Sequence, residues 1–279
     1  MRNRKLNNII KVSALAGIGV VMFTACDNIP EADRFIKVER PVIERNVLLF
    51  DFTGIRCVNC PDAAEAIHEL QQSYPQVIAV GLHPEGHPFT EPLRGLDLRC
   101  HEATVIYNNF INDTSLPQAV IDGGAPNNMY TTWSTEAITA LKKPAPATIA
   151  LDIDYDAAKR EVVVNYDVKF NQGYTGNCSV MVWVMENGIV GPQQLSSGVK
   201  RDYTHNHVLR ASLNGDWGQP LDGTSFMPDQ IVEGAAAMVL DESWVPENCQ
   251  IVAFMFQTGS KVVEQAEIAD LISTETPTE

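Results

Sequence analysis

Cationic charge is scarce in this 279-residue chain: 20 Lys and Arg stand against 35 Asp and Glu, a formal net charge of −15. Phosphate binding needs a surplus of cations, so this balance argues against nucleic acid as a partner. It argues equally against attachment to anionic membrane through a basic patch. No apolar run reaches the ~18 residues of a membrane-spanning helix. The sequence has no phosphate-cradling Gly-rich loop and no Gly-x-Ser-x-Gly elbow. No second Cys-x-x-Cys is present to complete a zinc site with the first. Asp152, Asp154 and Asp156 lack the glycine and closing glutamate of a calcium loop, so a hairpin is the better reading of them. No cofactor and no metal is therefore expected. What is there is 45% hydrophobic and 20% charged, the composition of a globular protein, and long enough for two ordinary domains.

Residues 1–25 carry Arg2, Arg4, Lys5 and Lys11 and no acidic residue, and an apolar run follows from Val12 to Phe23. At ~1.5 Å per residue such a run spans about 18 Å, short of the ~30 Å hydrocarbon core. That length suits a secretory signal. The run closes on Phe23-Thr24-Ala25-Cys26, which resembles a bacterial lipoprotein signal, with Cys26 lipidated and left as the new N-terminus. Phe23 stands where the usual pattern has Leu. The alternative is an ordinary cleaved signal followed by a chance cysteine. Removing residues 1–25 leaves 16 basic residues against 35 acidic ones, a net charge of −19.

The rest divides by pattern. Residues 26–45, broken by Pro30 and Pro41, read as a tether with an edge strand around Arg34–Glu39. Residues 46–143 alternate strand and helix: Asn46–Phe52 extended, Pro61–Tyr74 helical with Ala64, Ile67, Leu70 and Gln71 on one face, Gln76–Leu82 extended. Cys100–Phe110 reads as helix, Gln118–Asp122 as strand, and Ser134–Lys142 as helix capped by Ser134. This spacing predicts a βαβ unit on a parallel sheet. After Lys143–Ala147, residues 148–272 alternate polar and apolar over short strands and predict an all-β, immunoglobulin-like sandwich domain. Residues 273–279 are a polar tail.

The chemistry centres on Cys57-Val58-Asn59-Cys60. A Cys-x-x-Cys pair where a strand gives way to a helix places the first sulfur near free N–H groups and the positive end of the helix dipole. Cys57 is then expected to be the more exposed and more acidic thiol, with Arg56 adding positive potential if it turns toward the sulfur. A static structural disulfide is the competing reading. Asp51, at the end of the preceding strand, would sit under the helix start, where burial raises a carboxyl pKa and fits it to take a proton from Cys60; a solvated strand-end aspartate is the alternative. Pro117 stands directly before the Gln118–Asp122 strand. Cys178 and Cys249 both precede apolar β-runs and are expected to pair as those strands align, leaving Cys100 as a buried free thiol. His83, Glu85 and His87 form a loop at the sheet's C-terminal edge, and His205 and His207, two apart, would point the same way on one strand.

Asp51-Phe52, Cys57-x-x-Cys60-Pro61, Pro117 and Ile121-Asp122-Gly123 together resemble the thioredoxin superfamily over about residues 46–143. Arg45–Gly54, Cys57–Pro61, Tyr203-Thr204-His205-Asn206-His207-Val208-Leu209-Arg210 and Leu213-Asn214-Gly215-Asp216-Trp217-Gly218 resemble the outer membrane protein twenty-eight family of bacterial lipoproteins. The resemblance implies a thioredoxin-like α/β domain followed by a β-sandwich, in a lipoprotein of the cell envelope, at the outer membrane. It also implies a cis-proline at Pro117 facing the cysteines. No Trp precedes Cys57, and Val58-Asn59 replaces the usual Gly-Pro, a pair that tunes reduction potential. The expected function is thiol–disulfide exchange with envelope protein thiols or disulfides. Cys57 would attack, Cys60 resolve, Asp51 accept the proton and Pro117 shape partner approach, while lipid on Cys26 holds the membrane. The alternative is a non-catalytic binding protein or adhesin in which Cys57–Cys60 is a structural clip.

Overall fold

The computed structural model describes residues 45–272. The signal segment, Cys26, the expected edge strand and the tail lie outside the described residues.

Strand β1 (Val47–Phe52) and strand β2 (Val77–Leu82) are buried along their whole length. They pair in parallel around helix α1 (Cys60–Ser73) as a βαβ unit. Runs of this kind need cover on both faces, and side-chain parity divides the cover. Leu48, Phe50 and Phe52 pack with Ala103 and Ile106 of α2 (His101–Phe110). Val47 and Leu49 face the other way, against Ile67 and Leu70 of α1 and Trp133 and Ala137 of α3 (Tyr130–Leu141). Ala63, not Ala64, completes the buried stripe of α1. Helix α3 begins a turn before Ser134, because the Asn127 side chain accepts from the Met129 N–H at 2.7 Å and its carbonyl accepts from the Trp133 indole at 3.0 Å. Strand β3 (Gln118–Ile121) pairs antiparallel to β1.

Beyond residue 146 the chain is mostly strand: β4 (Ala147–Asp156), β5 (Glu161–Phe170), β6 (Tyr174–Thr175) and β7 (Cys178–Glu186). Then come β8 (Ile189–Leu195), β9 (Gly198–His205), β10 (Val208–Ser212) and β11 (Gln219–Pro220). The last four are β12 (Ser225–Phe226), β13 (Ile231–Val239), β14 (Cys249–Gln257) and β15 (Val263–Asp270). Asp152, Asp154 and Asp156 lie on the β4–β5 hairpin, as expected.

The main sheet runs across residues 143–148 rather than stopping there. Its order is β15-β14-β7-β10-β2-β1-β3, with β11 pairing β7 off this path. The seam between the halves is narrow: Val208 of β10 pairs with Gly81 of β2, and Gly81 N–H donates to the His207 carbonyl at 2.6 Å. Strand β7 is buried at all nine positions, so it too needs two covers. One face joins the interior that holds Phe50, with Trp183 and Phe254 rings 5.6 and 6.0 Å from it. The other meets a three-stranded antiparallel sheet, β13-β5-β4, through Val180, Val182 and Val184 against Val162, Val164 and Val168. The strands of 148–272 therefore do stack in two layers, but one layer is the continuation of the β1–β3 sheet. The architecture is mostly β with mixed pairing.

The ends of this sheet come together. Val263 N–H donates to the Asp122 carbonyl at 3.0 Å, and Asn46 N–H to the Gln265 side chain at 2.9 Å. Arg45 is buried here and donates to Asp122 Oδ2 at 2.6 Å, to the Val263 carbonyl at 3.0 Å and to the Glu264 carbonyl. Asp122 Oδ1 also accepts from Leu48 N–H at 3.0 Å.

The expected Cys178–Cys249 disulfide is absent: both thiols are free. Both residues open their strands, but β7 and β14 are antiparallel, with Cys178 opposite Gln257 and Cys249 opposite Glu186. Eight steps of ~3.4 Å separate the two ends by about 27 Å, far past the ~7 Å Cα limit for a bridge.

Candidate functional site

Cys57 and Cys60 are joined as a disulfide at the N-terminus of α1. The helix starts at Cys60 itself, after an Asn59 whose side chain makes no capping bond, with Pro61 in the first turn where its missing N–H costs nothing. The intervening Val58 is 44% exposed, yet Cys57 and Cys60 are only 2% and 3% exposed. This departs from the expected exposure of Cys57. The cover comes from a part of the chain that local sequence does not connect to the motif. The β8–β9 hairpin pairs with no other strand among the described residues, and its buried Gln193 donates to the Cys57 carbonyl at 2.9 Å and the Gly54 carbonyl at 3.3 Å. Next to it, Gln194 N–H donates to the Ile55 carbonyl at 2.8 Å. Gly54 is required on the other side, where an added Cβ would lie 2.3 Å from the Phe89 carbonyl oxygen. Arg56 is turned away from the sulfurs: its guanidinium donates to the Glu91 and Pro92 carbonyls at 2.9 and 2.6 Å.

Asp51 shares the parity of Val47 and Leu49, which puts its carboxyl on the α1 side of the sheet. It is buried, and desolvation raises its pKa from 3.8 to about 7. Asp51 and Cys60 line one small cavity of about 40 Å³, open to solvent, together with His83, Gln193, Tyr203 and His205. A larger cleft, about 340 Å³, adjoins it between α1 and the hairpin, sharing Asp51, Ala64, Tyr203 and Asn206 and running past Glu65, His68 and Lys200. Asp51 thus lines both the cleft and the small cavity that Cys60 lines. Pro117 is buried, its bond to Leu116 is cis, and the Phe52–Gln118 pairing brings it to the end of β1 from which the Cys57 loop departs.

The histidines separate. His87 donates through Nε2 to the Thr114 carbonyl at 3.1 Å and accepts from Phe89 N–H at 3.2 Å, which fixes it as a neutral loop brace. His83, beyond the end of β2, turns instead into the cavity beside Asp51, where burial, and then His205, hold its pKa down to about 3. His205 and His207 do not form a chelate. His205 ends β9 and faces the cavity, whereas His207 sits in the following turn at φ +59° and lines the cleft. Burial lowers each to about 4. Among the described residues no cluster of three metal-ligating side chains has the geometry to hold an ion. Of the three free thiols among the described residues, Cys100 and Cys249 are each pushed up to about 12 by burial and Cys178 is raised as well, so none of these is a nucleophile at neutral pH.

Gln193 was not visible as a site residue, since it lies 136 positions from the carbonyl it grips. The only signal near it was the Tyr203–Arg210 stretch, which belongs to the same hairpin and the strand after it. Comparison with known proteins gives one family match: the family described as outer membrane protein Omp28, over residues 104–272. Among solved structures the chain is similar to HBP35 of Porphyromonas gingivalis, at 16% identity over 85% of this chain and 79% of that one, with a TM-score of 0.65. A domain of the outer membrane lipoprotein Omp28 from the same organism matches at 23% identity, covering 46% of this chain and 88% of that one, with a TM-score of 0.30. No curated protein matches.

Proposed function

Because this chain belongs to the Omp28 family, a family of outer membrane lipoproteins in the bacterial envelope, we propose that it is an envelope-anchored thiol–disulfide exchange protein. In this reading residues 46–143 are a thioredoxin-like unit, Cys26 carries the lipid, and the partners are thiols or disulfides of envelope proteins. The observation that carries it is the placement of Asp51. A buried carboxyl with a pKa of about 7 lines the same small cavity as Cys60, the second cysteine of a helix-start disulfide. A carboxyl of that affinity takes and returns a proton near neutral pH, which a buried thiol needs when its bond to Cys57 opens or closes.

In reduction of a partner, the Cys57 thiolate attacks a partner sulfur and releases the other partner sulfur as thiolate. Cys60 then gives its proton to Asp51 and attacks Cys57, re-forming the Cys57–Cys60 bond and releasing the second partner thiol. Pro117 sits where it would shape partner approach. A second reading is favoured by one observation, the near-complete burial of both sulfurs under the hairpin: a binding protein or adhesin in which the bond is a clip. The reduction potential separates them. A value between about −120 and −270 mV belongs to exchange catalysts, and one below about −300 mV to a structural bond.

A further inference from the structure

Strand β13 pairs with β5 alone among the described residues, so its far side is a free edge of the three-stranded sheet. The ladder shows which backbone groups that edge leaves over. Phe170 N–H donates to the Gln230 carbonyl at 2.9 Å and Leu240 N–H to the Arg160 carbonyl at 2.8 Å. The register between these two bonds runs without a shift. Backbone direction alternates along a strand, so the even-numbered residues of β13 point N–H and C=O at β5. Ile231, Glu233, Ala235, Ala237 and Val239 point theirs outward, and among the described residues nothing pairs with them. The same five side chains are exposed, Ile231 at 51% and Val239 at 62%.

Free edges are usually blunted by lysine, proline, a bulge or inward-pointing charge. The opposite edge of this sheet, β4, carries Asp152, Asp154 and Asp156. β13 has no lysine, proline or bulge, and its one charge is Glu233. Its sequence also fits against itself. Laid antiparallel about Ala235, two copies set Ile231 of each opposite Val239 of the other, Glu233 opposite Ala237, and Ala235 opposite Ala235. Only outward-pointing residues are then paired, and each pair exchanges two hydrogen bonds, so no backbone group of either edge is left over. On the exposed face the two bulky apolar side chains meet at both ends. Glu233 meets an alanine, and its counterpart lies about 14 Å away along the strand. On the other face half-buried Val232 meets half-buried Met238. Any other in-phase register leaves an end residue of each copy unpaired.

We propose that the free edge of β13 is a self-association surface and that its partner is a second copy of this chain, paired antiparallel about Ala235. The interface is isologous, the same patch on both copies, as a two-fold dimer requires. It joins the two three-stranded sheets into one sheet of order β4-β5-β13-β13-β5-β4. The cysteine pair takes no part in it, so the dimer stands or falls independently of thiol–disulfide exchange.

The test is sedimentation equilibrium of the full chain in density-matched detergent, with micelles in large excess so that two chains rarely share one by chance. At about 100 µM, well above the micromolar range of weak association, the parent should have the mass of two chains and dissociate on dilution. Ala235→Pro removes an N–H that points away from β5, so the sheet of each copy keeps its bonds while the junction loses its centre. The variant should keep the parent's urea midpoint and dimerise about tenfold or more weakly. Register is read by copper–phenanthroline oxidation. Ala235→Cys should cross-link, because Cα atoms of a hydrogen-bonded pair lie about 5.5 Å apart, within reach of a disulfide. Ala237→Cys should not, since its counterpart is about 14 Å away. A single-chain mass at about 100 µM overturns the proposal. A dimer that Ala235→Pro does not weaken, or equal cross-linking at 235 and 237, overturns it too. If Ala235→Pro does not fold, the two cysteine variants decide.

Discussion

Replacing Asp51 by asparagine should change how stability depends on pH more than it changes stability itself. The folded carboxyl has a pKa of about 7 against its ordinary 3.8 because burial penalises the charged form. The fold thus prefers the protonated group. Its favourable contribution is complete below pH 3.8, declines as pH rises, and is gone once pH passes 7. Three units of difference at ~1.36 kcal/mol each give about 4 kcal/mol. Asp51→Asn keeps the shape and cannot ionise, so its unfolding free energy lacks this decline. Urea unfolding with the disulfide intact, at about pH 4 and about pH 8, should show the variant gaining about 4 kcal/mol on the parent between the two conditions. Equal m-values would confirm that the unfolded states match. Parallel curves would refute the reasoning: Asp51 would then ionise as an ordinary carboxyl, and the proton-acceptor role would lose its physical basis.

Breaking the buried Arg45–Asp122 pair from one side, as in Arg45→Ala, should cost about 3–5 kcal/mol in urea unfolding, because the partner charge stays buried. Gln193→Ala removes two donors to the Cys57 loop; a loss of about 1.4 kcal/mol from the closed state would speed reduction of the disulfide by dithiothreitol about tenfold, and an unchanged rate would show that the hairpin does not limit access. Cys60→Ser should trap a mixed disulfide between Cys57 and an envelope partner, whereas Cys57→Ser should trap none; non-reducing gels with mass spectrometry read this directly. Alkylation of the denatured, unreduced chain should label Cys100, Cys178 and Cys249 and spare Cys57 and Cys60; protection of Cys178 or Cys249 would contradict the antiparallel register.

The elements around the cysteines were legible because local rules govern them. Period-two parity in Val47–Phe52 sets which side Asp51 occupies, and the strand-to-helix transition sets the cysteines at a helix start. The seam at Gly81 and Val208 was not legible. A single paired position separated by more than a hundred residues leaves no periodicity to read. The polar–apolar alternation of β4 and β5 marked a two-layer region correctly, but β7 and β14 carry unbroken apolar runs, Val180–Met185 and Ile251–Phe256, a pattern that says a strand is covered twice and not by what. The failed Cys178–Cys249 pairing has the same origin: a cysteine before an apolar run marks where a strand begins, while strand direction, which decides whether two beginnings meet, is a tertiary property. Burial of the disulfide escaped for a further reason, since the hairpin that covers it approaches from the far half of the chain.

The clamp at Arg45 has a mechanical meaning. Any pull on the chain ahead of residue 45 is met first by a guanidinium buried against Asp122 and the β15 carbonyls, at the place where the two ends of the main sheet join. The load is shared at once between the first strand, the loop after β3 and the start of β15, instead of peeling β1 residue by residue. A protein tethered at its leading end would then yield at this joint before its interior is disturbed, and Arg45–Asp122 would set the force at which it does.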